Sequence, residues 1–231
     1  MNLATKTWDG KWATKYRPGT TDVDVLTEVI DHHVYRRLRD GFVVKPGERW
    51  LDLGANIGAF ALYCRMHGAT VECWEPEPEC FKILQLNAPG AELHNSAITT
   101  SHEPRLDFYT SKNPDNHYRT TIIPVSTYKP AGSFDNIYGS YLLGRKYDGV
   151  KLDVEGSEFG LIDEWLLPET NKLVMEYHHS RDKSAENMAR RFKKLREHFK
   201  TVKYPKALDT YIESGGTAPL PRFDSIVFCW N

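Results

Sequence analysis

Apolar and polar segments alternate along the chain with a spacing that predicts strands and helices in turn. A short apolar strand over residues 50–53 is followed by an apolar helix that starts at Ala59. A second strand over residues 71–75 leads into a helix that starts at Glu77 and that the Pro89-Gly90 pair ends. This alternation predicts right-handed crossovers and a doubly wound parallel sheet with helices on both faces.

The same pattern continues towards the C-terminus. The further predicted elements are strands over residues 91–95, 151–154, 172–177 and 225–230, a helix over residues 157–165, and a helix that Ser184 caps. The core side of that last helix carries Met188, Phe192, Leu195 and Phe199. Its basic residues, predicted to face solvent, are Arg190, Arg191, Lys193, Lys194 and Arg196.

Residues before the first strand form a leading segment. Residues 1–20 are polar with scattered aromatic side chains and are interpreted as an irregular arm. From Thr21 an amphipathic helix is predicted to run as far as Leu38, because apolar residues recur at helical spacing and Gly41 follows. Thr21 with Asp24 resembles a capping arrangement. We therefore predict one domain over residues 1–231, with an arm and helix in residues 1–41 and a Rossmann-like core in residues 42–231.

The middle of the chain gives weaker patterns. Residues 105–128 alternate in part and are predicted to form two short strands around an exposed turn near residues 113–117. This insertion is either an acceptor-binding flap or surface decoration. Over residues 130–147 the positions of Ile137, Tyr141 and Leu142 indicate one amphipathic helix.

The turn after the first strand is the main candidate for ligand binding. Gly54 and Gly58 flank Asn56 between a buried strand and a helix N-terminus, where a backbone can approach a ligand closely. Glu75 ends the second strand, at the place where nucleotide-binding α/β folds hold ribose hydroxyls. The turn lacks the central glycine of the G-x-G-x-x-G fingerprint, which disfavours a dinucleotide. A tight connection without any ligand is the alternative interpretation.

Three motifs together resemble those of one known family. The sequences DLGANIG at residues 52–58, EP at residues 75–76 and KLDVEGSE at residues 151–158 match, in order and separation, those of FkbM-type S-adenosylmethionine-dependent methyltransferases. The resemblance covers about residues 50–177 and is specific because the first and third motifs occur together. The stretch between Thr99 and Gly149 and the C-terminal tail match no motif, so the resemblance does not identify the acceptor.

This resemblance implies a fold, a cofactor and a binding site. The implied fold is α/β, class I methyltransferase-like and Rossmann-like, with a mostly parallel seven-stranded sheet whose last strand is antiparallel. The implied cofactor is S-adenosyl-L-methionine, and Ser96 and Ala97 are expected to border its adenine because ligands of open α/β sheets lie beyond the carboxyl ends of strands. The residues predicted to bind it are Asp52, Gly54, Ala55, Asn56, Gly58, Glu75, Pro76, Ser96, Ala97 and Asp153.

Polar residues at the ends of the fourth and fifth strands are the candidates for catalysis. Lys151, Asp153 and Glu155 interrupt an otherwise apolar strand at every second position, and His178 follows the fifth strand. We expect Asp153 or His178 to act as the base that activates an acceptor hydroxyl, with Lys151 steadying the carboxylates. The alternatives are an internal ion pair of Lys151 with Asp153 or Glu158 that has no catalytic role, and a structural role for His178. These groups could also bind Mg²⁺, but the spacing alone predicts no metal.

Composition narrows the class of partner. A net charge of −1 and a pI near 6.8 give no basic field for nucleic acid, so a small-molecule or glycan acceptor is expected. The chain shows no apolar targeting segment and no membrane span, and its four cysteines form no C-x-x-C pair, which favours a cytoplasmic protein with reduced thiols. The oligomeric state is not predicted.

These observations favour an O-methyltransferase that acts on a hydroxyl of a sugar, glycan or related small metabolite. Two rivals are an NAD-dependent oxidoreductase and a cofactor-binding module without catalysis. A nucleic-acid methyltransferase is disfavoured because the sequence lacks an N-P-P-Y-like motif and a basic face with interleaved aromatic residues.

Overall fold

The computed structural model describes residues 2–112, 120–121 and 128–231 of the chain. Its strands are β1 (Ala4–Trp8), β2 (Trp12–Tyr16), β3 (Arg49–Leu53), β4 (Thr70–Trp74), β5 (Glu92–His94), β6 (Ala97–Thr99), β7 (Arg105–Ser111), β8 (Thr120–Thr121), β9 (Tyr128–Tyr138), β10 (Lys146–Leu152), β11 (Glu169–Tyr177), β12 (Thr201–Lys203) and β13 (Ser225–Trp230). Its α-helices are α1 (Asp22–Ile30), α2 (Ala59–Met66), α3 (Pro78–Asn87), α4 (Glu158–Asp163), α5 (Ala185–His198) and α6 (Lys206–Glu213).

Seven strands form the main sheet, in the order β12-β13-β11-β10-β3-β4-β5. Strand β13 runs antiparallel to both of its neighbours, whereas β5, β4, β3, β10 and β11 are mutually parallel. The predicted fold class is therefore confirmed, including the antiparallel last strand. The chain order reverses between β3 and β10, and such a switch point opens a crevice at the carboxyl ends of the strands.

Two apolar clusters cover the faces of this sheet. Along β3 the side chains alternate, so Trp50 packs against Phe60 of α2 on one face, while Leu51 and Leu53 belong to the cluster beneath α4 and α5 on the other. Trp50 and Leu51 are completely buried. The central strand is thereby fixed from both sides, and so is the position of the turn that follows it.

A second sheet, in the order β6-β9-β7-β8, departs from the predicted pattern. The helix expected over residues 130–147 is wrong, because residues 128–138 form β9 and only Gly139–Leu142 turn helically, as a 3₁₀ segment. Strand β9 pairs with β6 and β7, and these partners lie far away in sequence. Strands β7 and β8 agree with the two short strands expected, whereas the predicted turn near residues 113–117 and the alternating residues 122–127 lie outside the described residues.

The N-terminal segment is more ordered and its helix shorter than predicted. The expected irregular arm contains the antiparallel hairpin of β1 and β2. Helix α1 ends at Ile30, His33 adopts a left-handed φ of 52°, and Leu38 is 64% exposed rather than part of a helical face. Thr21 precedes the helix without a capping hydrogen bond from its side chain.

Helix α5 begins where the sequence places it. The Ser184 hydroxyl accepts a hydrogen bond from the Asn187 amide, as expected of an N-cap. The prediction that Arg191 faces solvent is wrong, because its side chain is buried and forms ion pairs with Asp163 at 2.9 Å and Asp182 at 2.6 Å. These acidic partners come from other parts of the chain, so helical periodicity alone did not indicate them.

All four cysteines lie in the interior of the fold. Cys64, Cys73, Cys80 and Cys229 are all buried free thiols, and burial raises the pKa of each. Within the described ranges, each helix is either too short or too polar to cross a membrane.

Candidate active site

Gly54 is the junction at which three strands of the main sheet meet. Its φ is +81°, and a Cβ atom added there would lie 1.8 Å from the main-chain oxygen of Asp153. The Gly54 amide donates to the Trp74 carbonyl at 2.9 Å, and the Gly54 carbonyl accepts from Lys151 Nζ at 2.6 Å. Only glycine combines this conformation with this close approach, and the turn thereby links the ends of β3, β4 and β10.

The rest of the turn is held by bonds within the protein. Asn56 adopts a left-handed φ of 50°, which asparagine tolerates well, and its side-chain oxygen accepts from the Ile57 amide at 2.8 Å. The Ala55 amide donates to the Trp74 carbonyl and the Asn56 amide donates to Glu75. These amides already have partners inside the protein, so the carboxylate of Glu75 is the stronger candidate for contacting a ligand.

Glu75 lies directly after β4 and is buried, with 6% of its surface exposed. One carboxylate oxygen accepts from the Asn56 amide at 2.7 Å and the other from the Glu77 amide at 2.8 Å. Burial raises the pKa of Glu75 to about 7, although these two hydrogen bonds oppose the shift. Each oxygen retains a lone pair, so the group can also accept hydrogen bonds from a diol.

A cleft of about 1000 Å³ opens at the switch point between β3 and β10. Eleven of the predicted site residues line it, namely Gly54, Ala55, Asn56, Glu75, Pro76, Ser96, Ala97, Lys151, Asp153, Glu155 and His178. Asp52 and Gly58 do not line the cleft. Asp52 lies completely buried beside Lys151, and Gly58 lets α2 approach α3, since a Cβ there would come within 2.9 Å of Leu84.

Lys151 is a buried cation at the floor of the cleft, only 4% exposed. Its ammonium lies 3.1 Å from the Asp52 carboxylate and 3.5 Å from that of Asp153. Burial alone would lower the pKa of Lys151, but the two carboxylates outweigh burial and raise it, so the side chain stays charged. The ion pair considered from the sequence is therefore present, and it fixes the side of Asp153 that faces the sheet.

Asp153 presents its two carboxylate oxygens to different surroundings. Oδ2 accepts from the Tyr35 hydroxyl at 3.2 Å and faces Lys151, while Oδ1 faces the Nε2 atom of His178 at 3.8 Å. Burial works against ionisation, but Lys151 and His178 lower the pKa of Asp153. Glu155 adopts a left-handed φ of 52° and its carboxylate pairs with Arg181.

His178 is held at the end of β11 by a buried carboxylate. Glu158 accepts from both the main-chain amide and Nδ1 of His178, each at 2.9 Å. Burial lowers the pKa of His178, but Glu158 raises it well above its ordinary value, so in this arrangement the imidazole carries two protons. A protonated imidazole donates a proton and cannot accept one, so of the two bases proposed from the sequence, Asp153 and His178, this arrangement favours Asp153.

Glu176 was not singled out in the sequence analysis. It lines the cleft close to Asp153 and His178, and burial together with the Asp153 charge raises the pKa of Glu176 to about 8. The sequence could have indicated Glu176 as a site residue, because it is a polar residue near the carboxyl end of an apolar strand, as Asp153 is. Glu158 is the last residue of the KLDVEGSE motif, but its contact with His178, like that of Tyr35 with Asp153, forms only in the folded chain.

The loop before β13 closes the other side of the cleft. Phe223 lines the cleft with 74% of its surface exposed, and its carbonyl lies 2.9 Å from the Nε2 atom of buried His179. Asp224 accepts from both the amide and the hydroxyl of Ser180 at 2.9 Å. An aromatic face is thus anchored at the entrance of a polar cleft.

The strand order and the cleft at the switch point define a class I methyltransferase-like α/β fold. The family comparison gives the same class. The sequence model of the family described as the methyltransferase FkbM domain matches residues 52–204, and the chain belongs to this family.

Individual relatives match less extensively. The 31-O-demethyl-FK506 methyltransferase FkbM of Streptomyces tacrolimicus is 43% identical over 53 residues, which are 22% of this chain and 20% of that protein. The match therefore spans about a fifth of the relative's length.

Solved structures with a similar fold include TYW2 of M. jannaschii in complex with AdoMet and the tRNA (uracil-54, C5)-methyltransferase of Pyrococcus abyssi in complex with S-adenosyl-L-homocysteine. The match to TYW2 has a TM-score of 0.46 at 13% identity, and it covers 98% of this chain and 84% of the TYW2 chain. The match to the tRNA methyltransferase has a TM-score of 0.43 at 12% identity, and it covers 98% of this chain and 43% of that enzyme's chain.

Proposed function

We propose that the chain is an S-adenosylmethionine-dependent O-methyltransferase that acts on a hydroxyl of a sugar, glycan or related small metabolite. The observation that carries this proposal is the acidic lining of the cleft around Glu75. Among the described residues, seven aspartate and glutamate side chains line the cleft, compared with three lysine and arginine side chains. The acids are Asp24, Glu28, Glu75, Asp153, Glu155, Glu176 and Asp224. Such a lining favours a ligand with a sulfonium charge and repels the pyrophosphate of a dinucleotide.

The residues present fit S-adenosylmethionine. The Glu75 carboxylate would accept hydrogen bonds from the ribose hydroxyls. The wall formed by Ser96, Ala97 and Ile98 would border the adenine. When bound, this cofactor supplies a methyl group on a positively charged sulfur, which an oxygen nucleophile can attack in line. The chain's contribution is to hold the reacting groups in line and to exclude water, and orientation of this kind can lower a barrier by several kcal/mol.

The acceptor is expected at the end of the cleft formed by β10, β11 and the Phe223 loop. The carboxylate that Asp153 presents there is its proton acceptor, because Lys151 and His178 lower the pKa of Asp153, and Lys151 keeps Asp153 in place. The aromatic face of Phe223 beside polar side chains suits the apolar face of a sugar ring. The curated relative is named for methylation at a 31-O position, which also supports an oxygen acceptor.

Two measurements test this proposal. Calorimetry with S-adenosylhomocysteine and with NAD is expected to show binding of the former alone, and binding of NAD would favour an oxidoreductase. Transfer of a radiolabelled methyl group from S-adenosylmethionine to glycans or small polyols is expected to give a labelled ether. Cofactor binding without transfer to any hydroxyl acceptor would favour a cofactor-binding module without catalysis.

Glu75→Gln is expected to weaken S-adenosylhomocysteine binding by about 10- to 150-fold, the loss of a hydrogen bond to a charged group. In the wild-type chain the affinity is expected to fall as the pH decreases through about 7, where the buried Glu75 carboxylate takes up a proton. The variant has no such group, so its affinity should change little over the same range. Calorimetry between pH 6 and pH 8 measures both effects.

Glu79→Gln provides the matched control, because Glu79 is an exposed acid of α3 that pairs only with Lys82 in the described structure. It is expected to bind the ligand as the wild type does. Equal affinities for Glu75→Gln and the wild type, or the same pH dependence in both, would remove Glu75 from the binding site.

A further inference from the structure

Three side chains on the acceptor side of the cleft bring metal-binding atoms together. One ligand atom each from Asp153, Glu176 and His178 lies within 4.8 Å of the other two. We propose that these residues bind one divalent metal cation. This inference goes beyond the proposed function, since it concerns a site that can be occupied without cofactor or acceptor.

The histidine is arranged as a metal ligand. His178 is 3% exposed, and its Nδ1 atom is bound by the Glu158 carboxylate at 2.9 Å, so that Nε2 points towards the cleft. The carboxylate oxygens nearest to Nε2 belong to Glu155 at 3.7 Å and Asp153 at 3.8 Å, which is too far for hydrogen bonds. A histidine whose other ring nitrogen is held by a carboxylate is typical of metal ligands, because this contact fixes the ring and its tautomer. Cation binding displaces the proton on Nε2, and any proton on Glu176, into solvent, while Nδ1 keeps its proton and its hydrogen bond to Glu158.

Asp153 has one oxygen to spare for a cation. Its Oδ2 atom is engaged by Tyr35 at 3.2 Å and lies 3.5 Å from Lys151 Nζ, whereas Oδ1 is on the side of His178. The Lys151 ammonium therefore orients the carboxylate from the sheet side without standing between Asp153 and His178. Glu176, at the end of β11, supplies the third ligand from the same cleft wall.

A second cluster in the described structure shows what a purely structural arrangement looks like. Glu72, Glu92 and His94 also bring ligand atoms within 4.8 Å of one another. The carboxylate of Glu72 already accepts from Arg49 at 2.8 Å, from Tyr147 at 2.7 Å and from Trp74 at 3.1 Å. Because these donors occupy the Glu72 oxygens and Arg49 neutralises the Glu72 charge, this cluster is not expected to bind a cation and supplies a control.

One imidazole nitrogen and two carboxylate oxygens suit divalent first-row cations, with Mn²⁺ the best probe of the set. With three protein ligands, coordination positions remain for oxygen atoms of an acceptor. A cation at this point would orient an acceptor hydroxyl and make it more acidic.

The test is a titration of the 231-residue chain with Mn²⁺, without cofactor or acceptor. Binding is monitored by the decrease of the free Mn²⁺ signal in electron paramagnetic resonance. We expect saturable binding of one Mn²⁺ per chain. Glu176→Gln and Asp153→Asn should each weaken binding at least about 10-fold, and Glu158→Gln should weaken it by about 10- to 100-fold through the histidine. Thermal unfolding of each variant verifies that it is folded.

Two control variants separate coordination from general attraction by negative charge. Glu28→Gln removes an acid from the same cleft and Glu92→Gln removes one from the second cluster, and both should bind Mn²⁺ as the wild type does. The proposal is overturned if the wild type shows no saturable binding, or if folded Glu176→Gln and Asp153→Asn bind as tightly as the controls. Failure of the methyl-transfer assay would contradict the proposed function but not the metal site. Absence of Mn²⁺ binding would contradict the metal site but not the proposed function.

Discussion

Gly54→Ala is expected to lower the free energy of unfolding by about 3 kcal/mol or more. Alanine is strained in the left-handed conformation of this residue, and its Cβ atom would overlap with the backbone of a neighbouring strand. The added Cβ would lie 1.8 Å from the Asp153 carbonyl oxygen, which no side-chain rearrangement can relieve. The end of β10 must therefore move away from β3, and Asp153 moves with it. Urea denaturation measures the loss of stability, and calorimetry should show that S-adenosylhomocysteine binding is lost as well.

Gly90→Ala separates conformational strain from steric overlap. Gly90 has a similar φ of +86°, but nothing lies within 4 Å of a Cβ added there. Its replacement should cost about 1 kcal/mol and leave ligand binding unchanged. Equal losses of stability in the two variants would show that the contact between the β3 turn and Asp153 is not tight in solution.

Lys151→Met is expected to lower the free energy of unfolding by about 3–5 kcal/mol, because it leaves the completely buried Asp52 carboxylate without its cation. The loss should depend on pH with a definite sign. Burial already raises the pKa of Asp52, and removal of the lysine raises it further, above the value in the unfolded chain. The folded variant then binds a proton more tightly than the unfolded one, so its stability should decrease as the pH rises through the folded pKa.

The double variant Asp52→Asn with Lys151→Met provides the decisive comparison. Removing the charge that Lys151 compensates should restore more than half of the lost stability, and urea denaturation at pH 5.5 and pH 8 measures it. Lys82→Met, at an exposed lysine paired with Glu79, should change stability by less than about 0.5 kcal/mol. If the two substitutions at positions 52 and 151 are simply additive, the ion pair has no energetic role.

The parts of the fold that could be predicted are those with local signals. The β3 turn was found because Gly54 and Gly58 follow a short apolar run, and Glu75 because it ends the next strand. In both cases the physical reason, a left-handed glycine or a strand-end acid, lies within a few residues of the element itself. The antiparallel last strand followed from the family resemblance.

The parts that were missed depend on contacts between distant residues. Helical spacing continued past Ile30 to Leu38, but the chain turns at His33 and brings the Tyr35 hydroxyl to Asp153. Residues 130–138 became a strand because β6 and β7 pair with them, and pairing of this kind overrides weak local preferences. The Glu158 contact that raises the pKa of His178 likewise arises only on folding.

The four buried thiols give the protein an internal reporter of unfolding. They are distributed over α2, β4, α3 and β13, and each is 2% exposed or less in the native state. An alkylating reagent needs an accessible thiolate, which burial and a raised pKa both withhold, so modification must wait for opening of the sheet or of the helices packed on it. The rate at which each cysteine reacts would therefore report how often its own region opens, without any engineered label.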